Sequence, residues 1–366
     1  MFIVRVQQIS GILIVLMILL DVFLTVLYAR MGSGLLSTRL ARAVWGAFRL
    51  VARSFSRHSD RIASFCGPVI LVLLVLMWIA GLTLGNALLF HPVLGSAIKS
   101  SSGSTPTDFV SALYAGGSSI SIVGSADFSP SVSRYRLIYL FNSIVGLCVT
   151  SLTLTYLMQI YSQLQQRNTF ALKVYLATCE TGDAAVLVAG LGPNGEWSHG
   201  TSVLWEFAAE IAATKEAHHF YPVLFYMRFA EPYYSLSFAT QVLLDAVAIM
   251  RSALGEQYST VRQLRALDEI WRGSLLLLTS LEKTFLSETL PRLQELDLSE
   301  VARWEQRLDH AISVLNAAGL CTVEHSAARA KYVELRSQWN GHIQRLAPSM
   351  LYSMQDIDAP TYGAAS

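Results

Sequence analysis

Apolar residues in this chain are concentrated in three long runs, near residues 9–29, 67–90 and 135–158. Each run approaches or exceeds the roughly 20 residues that a helix needs to cross a bilayer. The first run is too long for the apolar core of a secretion signal and contains an acid, so we interpret it as a retained span. The pattern therefore predicts three transmembrane helices.

Basic residues flank these runs unequally. The segment between the first two runs holds seven arginines and one acid, whereas residues 91–133 hold a single base, Lys99. The positive-inside rule places the arginine-rich segment in the cytoplasm, with the N-terminus outside and the C-terminus inside. We therefore expect a multi-pass protein of the inner, or plasma, membrane.

The arginine-rich segment also has a helical pattern. Between residues 35 and 57, apolar side chains recur on one face and arginines on another. Such a basic amphipathic helix suits the interface of an anionic leaflet, so we predict that it contacts anionic lipid headgroups. Packing against the protein's own cytoplasmic domain is the alternative interpretation.

Residues 166–366 show apolar stripes of helical period and few strand signals. The predicted helices of this segment lie near 200–217, 235–254, 259–289, 298–317 and 323–346. The segment contains no glycine-rich dinucleotide fingerprint, phosphate loop or other catalytic motif. We therefore expect a helical regulatory domain with an unidentified ligand, not an enzyme.

Composition agrees with a membrane protein. The chain is 53% hydrophobic and 14% charged, and its mean hydropathy is +0.43. A net charge of +1 gives no reason to expect nucleic acid as a partner. The four cysteines show neither a disulfide framework nor zinc-ligand spacing, so we expect no metal and no resident cofactor.

A short polar segment lies between the second and third apolar runs. Residues 106–130 read as a short helix followed by a serine- and glycine-rich loop. This segment resembles the pore domain of the potassium-channel superfamily, in which two helices flank a re-entrant pore loop. The residues that match that pattern in register are Asp108, Phe109, Ala112, Leu113, Tyr114, Val123, Gly124, Asp127 and Pro130.

The resemblance implies a selectivity filter, a ring of backbone carbonyls that replaces the water shell of a permeating monovalent cation, K+. One loop per chain lines a fraction of such a ring, so the resemblance also implies a homotetramer. The implied pore-helix residues are Phe109, Tyr114 and Ser119. The implied filter residues are Ser121, Ile122, Val123, Gly124, Ser125, Ala126 and Asp127.

The filter departs from the family pattern at three positions. Ile122 stands where the family has a threonine that supplies an ion ligand, and Ser125 replaces a tyrosine that braces the filter. Ala126 replaces a second glycine, at a steric cost of roughly 1–2 kcal/mol in left-handed geometry. These departures favour the alternative function of a non-conducting membrane sensor or scaffold that has kept the channel fold.

Five further residues are candidates for a functional or structural role. Gly146 lies where the family carries a gating hinge, although close helix packing explains a glycine equally well. Asp21 is an intramembrane acid with either a coupling role or a structural one. The adjacent His218 and His219 are poorly placed to chelate one ion, so packing is favoured over metal binding. Asp245, in an apolar helix, needs a buried partner, for which Arg228 is one choice.

Together these patterns predict an all-α membrane protein, with three transmembrane helices plus a re-entrant pore helix and loop, followed by a helical cytoplasmic domain. The predicted function is the pore-forming subunit of a potassium-channel-like cation channel. A membrane-tethered enzyme is a third, less favoured reading. The predicted segments are an N-terminal span at 1–30, a basic linker at 31–66, a pore domain at 67–165 and the cytoplasmic domain at 166–366.

Overall fold

The fold is described from a computed structural model, in which residues 2–28, 34–54, 59–124, 127–286 and 298–358 are described. The chain forms two compact units. The first unit comprises Met1–Ala47 and Gly67–Tyr161, and the second comprises Phe48–Cys66 and Ser162–Ser366. The predicted linker 31–66 therefore contributes residues to both units.

The N-terminal half of the chain is dominated by long apolar helices. Its helices are α1 (Phe2–Val22), continued by a π-helical turn (Phe23–Leu27), α2 (Ser37–Ser54), α3 (Ser59–Ser64), α4 (Cys66–Phe90), α5 (Phe109–Ile120) and α6 (Ser133–Ala177). Helix α6 continues well past the predicted end of the third span at residue 158. An apolar run predicts where a membrane segment ends, but not where the helix ends.

The C-terminal part of the chain is also helical. Its helices are α7 (Ala184–Leu191), α8 (Ser198–Phe220), α9 (Leu236–Ala253), α10 (Ser259–Arg262), α11 (Arg265–Phe285), α12 (Leu298–Ala317), α13 (His325–Ser337), α14 (Asn340–Ser349) and α15 (Met354–Ile357). Two predicted helices, 259–289 and 323–346, are each divided in two. Helix α7 was not predicted.

Among the described residues, the helices of α1, α4, α6 and α9 are long and apolar enough to cross a membrane. The first three correspond to the predicted spans, and many of their large apolar side chains are exposed in the isolated chain. Helix α9 differs, because 94% of this 18-residue helix is buried inside the protein. We therefore interpret α9 as the core helix of the second unit.

Apolar clusters among the described residues stabilise the first unit. One joins α1, α4 and α6 around Ile18, Trp78 and Val149. Another joins the end of α4 to α5 around Phe90 and Ala112. Between membrane-spanning helices such packing is stabilised mainly by van der Waals contact and interhelical hydrogen bonds, because lipid tails are as apolar as the side chains that the helices bury.

A small antiparallel sheet, not predicted from the sequence, connects the two sides of α5. Strand β1 (Ile98–Ser100) pairs with β2 (Phe128–Pro130), and Lys99 lies opposite Ser129. Strand β1 lies before the predicted pore-loop segment 106–130, and β2 forms the last three residues of that segment. The sheet therefore joins the end of that segment to the chain that precedes it.

Candidate functional site

Helix α5, the predicted pore helix, begins at a side-chain cap. The Asp108 carboxylate accepts hydrogen bonds from the Ser111 backbone N–H at 3.0 Å and from its hydroxyl at 2.7 Å. Phe109, in the first turn, packs edge-on against His91 with ring centroids 5.7 Å apart. The helix has 12 residues, so it extends about 18 Å. It is too short to cross a hydrocarbon core of about 30 Å.

Glycines let α5 approach both of its neighbours closely. A Cβ atom at Gly116 of α5 would lie 2.7 Å from the backbone nitrogen of Ala87 in α4, and one at Gly146 of α6 would lie 1.8 Å from the carbonyl oxygen of Ile120. The close packing therefore requires glycine at position 146. Helix α6 continues through this position without a break. The hinge role of Gly146 stays a prediction.

Buried polar side chains connect the same three helices. Asn142 of α6 donates to the Asn86 side-chain oxygen at 2.8 Å and to the Ser119 hydroxyl at 3.0 Å. The Ser119 hydroxyl donates to the Gly116 carbonyl at 2.8 Å, and Ser143 donates to the Ser119 carbonyl at 3.2 Å. Ser119 therefore anchors α5 to its neighbours. Sequence reasoning missed Asn86, whose only signal is an amide within an apolar run.

The loop after α5 turns back sharply. The Gly124 N–H donates to the Ser121 carbonyl at 3.2 Å, and the Val123 N–H is 3.3 Å from the Ser121 hydroxyl. Gly124 has φ of +66°, a left-handed conformation that favours glycine. The side chains of Ile122 and Val123 are 64% and 93% exposed in the isolated chain. Two apolar side chains at the tip of the loop are therefore largely exposed in the single chain.

Asp127, at the end of the loop, is hydrogen bonded to α5. The Tyr114 hydroxyl donates to the Asp127 carboxylate at 2.7 Å. This contact joins a predicted pore-helix residue to a predicted filter residue, and sequence reasoning had not paired them. The remaining filter positions, Ser125 and Ala126, lie outside the described residues.

Asp21 is fully buried, and its carboxylate accepts several hydrogen bonds. Oδ1 accepts from the backbone N–H groups of Leu36 at 2.7 Å and Ser37 at 3.3 Å. Oδ2 accepts from the Ser37 hydroxyl and from the Trp78 indole N–H, the latter at 2.8 Å. A carboxylate at the first N–H groups of α2 stabilises that helix end. Asp21 thus joins α1, α2 and α4. These contacts fit a structural role for Asp21, one of the two roles that the sequence left open.

Helix α2 exposes a mixed basic and apolar surface. Arg39 and Arg42 are exposed, and Leu50 is exposed on a neighbouring flank. Ala41 and Trp45 on the opposite side are buried. The helix therefore has both the cations and the apolar side chains that an interfacial helix needs.

One of the two adjacent histidines of α8 lies in the core of the second unit. His218 is buried, and its Nδ1 lies 2.9 Å from the Thr214 carbonyl oxygen. Burial, with a smaller effect of the nearby Arg167 guanidinium, lowers the pKa of His218 to about 4. No group of three His, Cys, Asp or Glu side chains that could hold a metal ion occurs among the described residues.

The suggested pairing of Asp245 with Arg228 is wrong. Asp245 accepts hydrogen bonds from Tyr332 and from Arg336, the latter at 2.8 Å, and Arg307 lies 3.3 Å away. Side chains from α12 and α13 reach α9 in the folded unit, which the chain order of the helices does not reveal.

Arg228 has other partners. Its guanidinium donates to the Asp60 carboxylate at 2.6 Å and to the Leu351 carbonyl at 2.8 Å, and it stacks 4.4 Å above the Tyr352 ring. Asp60 precedes α4 in sequence. Arg228 therefore holds the segment before α4 within the second unit.

Comparison with known proteins also indicates a membrane protein. The chain is 25% identical over 251 residues to a Bacillus subtilis (strain 168) protein described as uncharacterized membrane protein YdjJ, covering 68% of this chain and 71% of that protein. No protein-family model and no solved structure matches the chain. The protein is a helical membrane protein.

Proposed function

We propose that this protein is the pore-forming subunit of a potassium-channel-like cation channel, in which four copies surround a central path for passive flux of K+. The observation that carries the proposal is α5. It is too short to span a membrane, packs against two helices of spanning length, and ends at an exposed loop that contains a left-handed glycine. This is the arrangement that a re-entrant pore loop requires.

The backbone of the loop supports this function. A cation filter needs successive carbonyl groups that face one axis. Left-handed residues make this possible because they reverse the direction in which the next carbonyl points, and glycine adopts them without steric cost. Gly124 supplies one such residue. In the proposal, carbonyls of residues 122–126 are the ion ligands.

Exposed apolar side chains support assembly. Ile122 and Val123 stand uncovered in the single chain, as do Leu140, Phe141 and Leu147 on α6. Contiguous apolar surface of this kind is normally covered by lipid or by another protein chain. A filter tip cannot face lipid, because its backbone polar groups would lose their hydrogen-bond partners there. Neighbouring copies are the cover that we propose.

The carboxylate of Asp127 has a role in the same proposal. Tyr114 holds this side chain beside the loop, and both residues remain partly exposed. A fixed negative charge at the mouth of a pore raises the local concentration of cations. In a tetramer, four such charges would surround the entrance.

The proposal includes anionic lipid as the partner of α2. Its exposed arginines and the exposed Leu50 suit a headgroup interface, where each base near the surface contributes about 1 kcal/mol. Vesicle flotation with and without phosphatidylserine tests this. We expect Arg39→Gln with Arg42→Gln to weaken the preference for anionic vesicles, and an unchanged preference would contradict it.

Ion flux from proteoliposomes tests the channel directly. Purified protein should release K+ well above Na+ under equal gradients. Gly124→Pro should abolish this flux, because proline cannot adopt a φ of +66°. Membrane insertion should be unchanged.

Gly103→Pro is a matched control. Gly103 also has a positive φ, +71°, and open space around its Cβ position, but it lies before α5. We expect this variant to retain at least half of the flux. Equal loss in both variants, or normal flux in Gly124→Pro, would exclude a filter at Gly124.

A non-conducting sensor or scaffold is the second candidate function. Ile122 favours it, because an isoleucine side chain offers no oxygen to the innermost ion site. This function predicts a stable tetramer that releases neither K+ nor Na+. Restoration of flux by Ile122→Thr, together with Ser125→Tyr and Ala126→Gly, would then identify the altered loop as the cause.

A further inference from the structure

The second unit contains a surface pocket of about 260 Å³ that is rich in basic side chains, which we call the basic pocket. Its volume is close to the lower end of the roughly 300–1,000 Å³ range of small-molecule pockets, so it suits a compact ligand. Three of its lining residues are cations and one is an acid. The lining residues are Arg251, Glu256, Ser259, Arg262, Gln263 and Lys331.

Backbone contacts bring the helices around the basic pocket together. Arg251 lies in the last turn of α9, and Lys331 lies on α13. The Gly255 N–H donates to the Cys321 carbonyl at 2.9 Å. The chain that follows α9 is therefore bonded to the chain that precedes α13, and both helices contribute a cation to the same pocket.

The two guanidinium groups of the basic pocket are held by neighbouring groups. Arg251 donates to Asp268, and its guanidinium lies 5.8 Å from the centre of the Trp271 ring. Arg262 donates to the Glu256 carboxylate at 2.7 Å and to the Arg251 carbonyl at 3.4 Å. Each guanidinium has five N–H groups. Because these contacts use one or two of them, donors remain for a ligand.

The carboxylates that pair with the three cations are more exposed than the cations themselves. The Glu256 side chain is 84% exposed, against 25% for Arg262. The partner of Arg251 is 53% exposed, against 20% for the arginine. Lys331 pairs at 3.1 Å with Glu334, one turn away on the same helix. Solvent-exposed ion pairs are weak and screened by salt, so an anion in the pocket can compete with them.

Two uncharged side chains of the basic pocket contribute further donors. Among the described residues, neither the Ser259 hydroxyl nor the Gln263 side-chain amide is hydrogen bonded to another residue. Both side chains are exposed. The pocket therefore combines charged and neutral donors from separate segments of the chain with a single acid.

We propose that the basic pocket binds a phosphate monoester, either a soluble small molecule or the headgroup of a lipid. Arginine binds phosphate oxygens through parallel hydrogen bonds, and lysine binds phosphate as a point charge. A phosphate monoester carries about −1.5 to −2 charges at pH 7 and three acceptor oxygens. It therefore suits three cations and several neutral donors better than a planar carboxylate does. The inference goes beyond ion flux and gives the second unit a ligand class.

Binding of inorganic pyrophosphate tests the basic pocket, because its terminal groups resemble a phosphate monoester. Isothermal titration calorimetry of the detergent-solubilised full-length protein should show saturable binding of one pyrophosphate per chain. Lys331→Gln should weaken this binding about tenfold, because it removes one charged donor. Arg265→Gln is the matched control, since this arginine is 82% exposed, pairs with Glu269 at 3.1 Å and lies outside the pocket lining.

The control separates a defined site from general attraction between charges. Lys331 and Arg265 are both exposed, so the two substitutions should leave the circular dichroism spectrum unchanged. Arg265→Gln should bind pyrophosphate as the unaltered protein does. Absence of saturable binding to the unaltered protein, or an equal loss of affinity in both variants, would overturn the phosphate site.

Reconstitution into vesicles distinguishes the two sources of phosphate. The titration is repeated with vesicles that contain phosphatidic acid, a phosphate monoester, or phosphatidylserine, a phosphate diester, at equal surface charge. Weaker pyrophosphate binding in the presence of phosphatidic acid would identify a lipid headgroup as the ligand of the basic pocket. Equal binding in both kinds of vesicle would identify a soluble phosphate.

Discussion

The hydrogen bond between Trp78 and Asp21 can be measured by a double-mutant cycle. Trp78→Phe removes the indole N–H and keeps an aromatic ring in the core, whereas Asp21→Ala removes the acceptor. The double variant closes the cycle, so that the coupling free energy isolates the contact from the other consequences of each change.

The expected magnitude follows from the geometry. The indole nitrogen lies 2.8 Å from Asp21 Oδ2, and both side chains are fully buried. A hydrogen bond to a charged group contributes about 1.5–3 kcal/mol, so we expect a coupling of about 2 kcal/mol. Asp21→Ala alone should cost at least about 3 kcal/mol, because it also frees the buried donors of Ser37 and Leu36.

The assay is unfolding of the detergent-solubilised protein in sodium dodecyl sulfate, followed by circular dichroism. Thr25→Val is the comparison, since Thr25 donates to the Ser37 hydroxyl at 3.0 Å and reaches Asp21 only through that hydroxyl. It should cost about 1 kcal/mol and couple to Trp78→Phe less strongly than Asp21→Ala does. A coupling below about 0.5 kcal/mol between Asp21 and Trp78 would refute the structural role assigned to this carboxylate.

Three further predictions concern packing, protonation and buried charge. Gly146→Ala should lower the unfolding midpoint because its Cβ would overlap the last carbonyl of α5, whereas Gly190→Ala, in open space on α7, should not lower it. Burial lowers the pKa of His218 from 6.5 to about 4, so protonation favours the unfolded chain and stability should fall by about 2 kcal/mol between pH 6.5 and 5. His218→Gln should remove this slope in pH-dependent melts, and His219→Gln should keep it. Asp245→Ala should destabilise the protein by about 3–5 kcal/mol in chemical unfolding, and a loss below about 1 kcal/mol would contradict a buried ionic cluster.

The spans and most helices could be predicted because they depend on local sequence. An apolar run of bilayer length, or an apolar stripe of helical period, identifies a helix wherever it packs. The predicted helix at 298–317 matches α12 throughout. The helices predicted at 259–289 and 323–346 are each divided in the structure. Local sequence did not predict these breaks, because tertiary packing decided where each helix turns.

The partners of polar side chains were predicted less well. Asp245 is buried as predicted, but its partners lie on helices 62 or more residues away in sequence. Asn86 was overlooked because a single amide in an apolar run gives no pattern. Its importance depends on Asn142 and Ser119, which only the packing of three helices brings together.

The sequence by itself determined that the chain is helical, that it enters a membrane, and that a short polar loop follows a short helix between two spans. Those properties depend on the hydropathy and spacing of neighbouring residues. Tertiary structure alone decided that Gly146 receives the end of α5, that Asp21 stabilises the start of α2, and that Asp245 is hydrogen bonded to Tyr332 and Arg336. Such contacts join residues far apart in the chain, and only the packed helices bring their atoms within bonding distance.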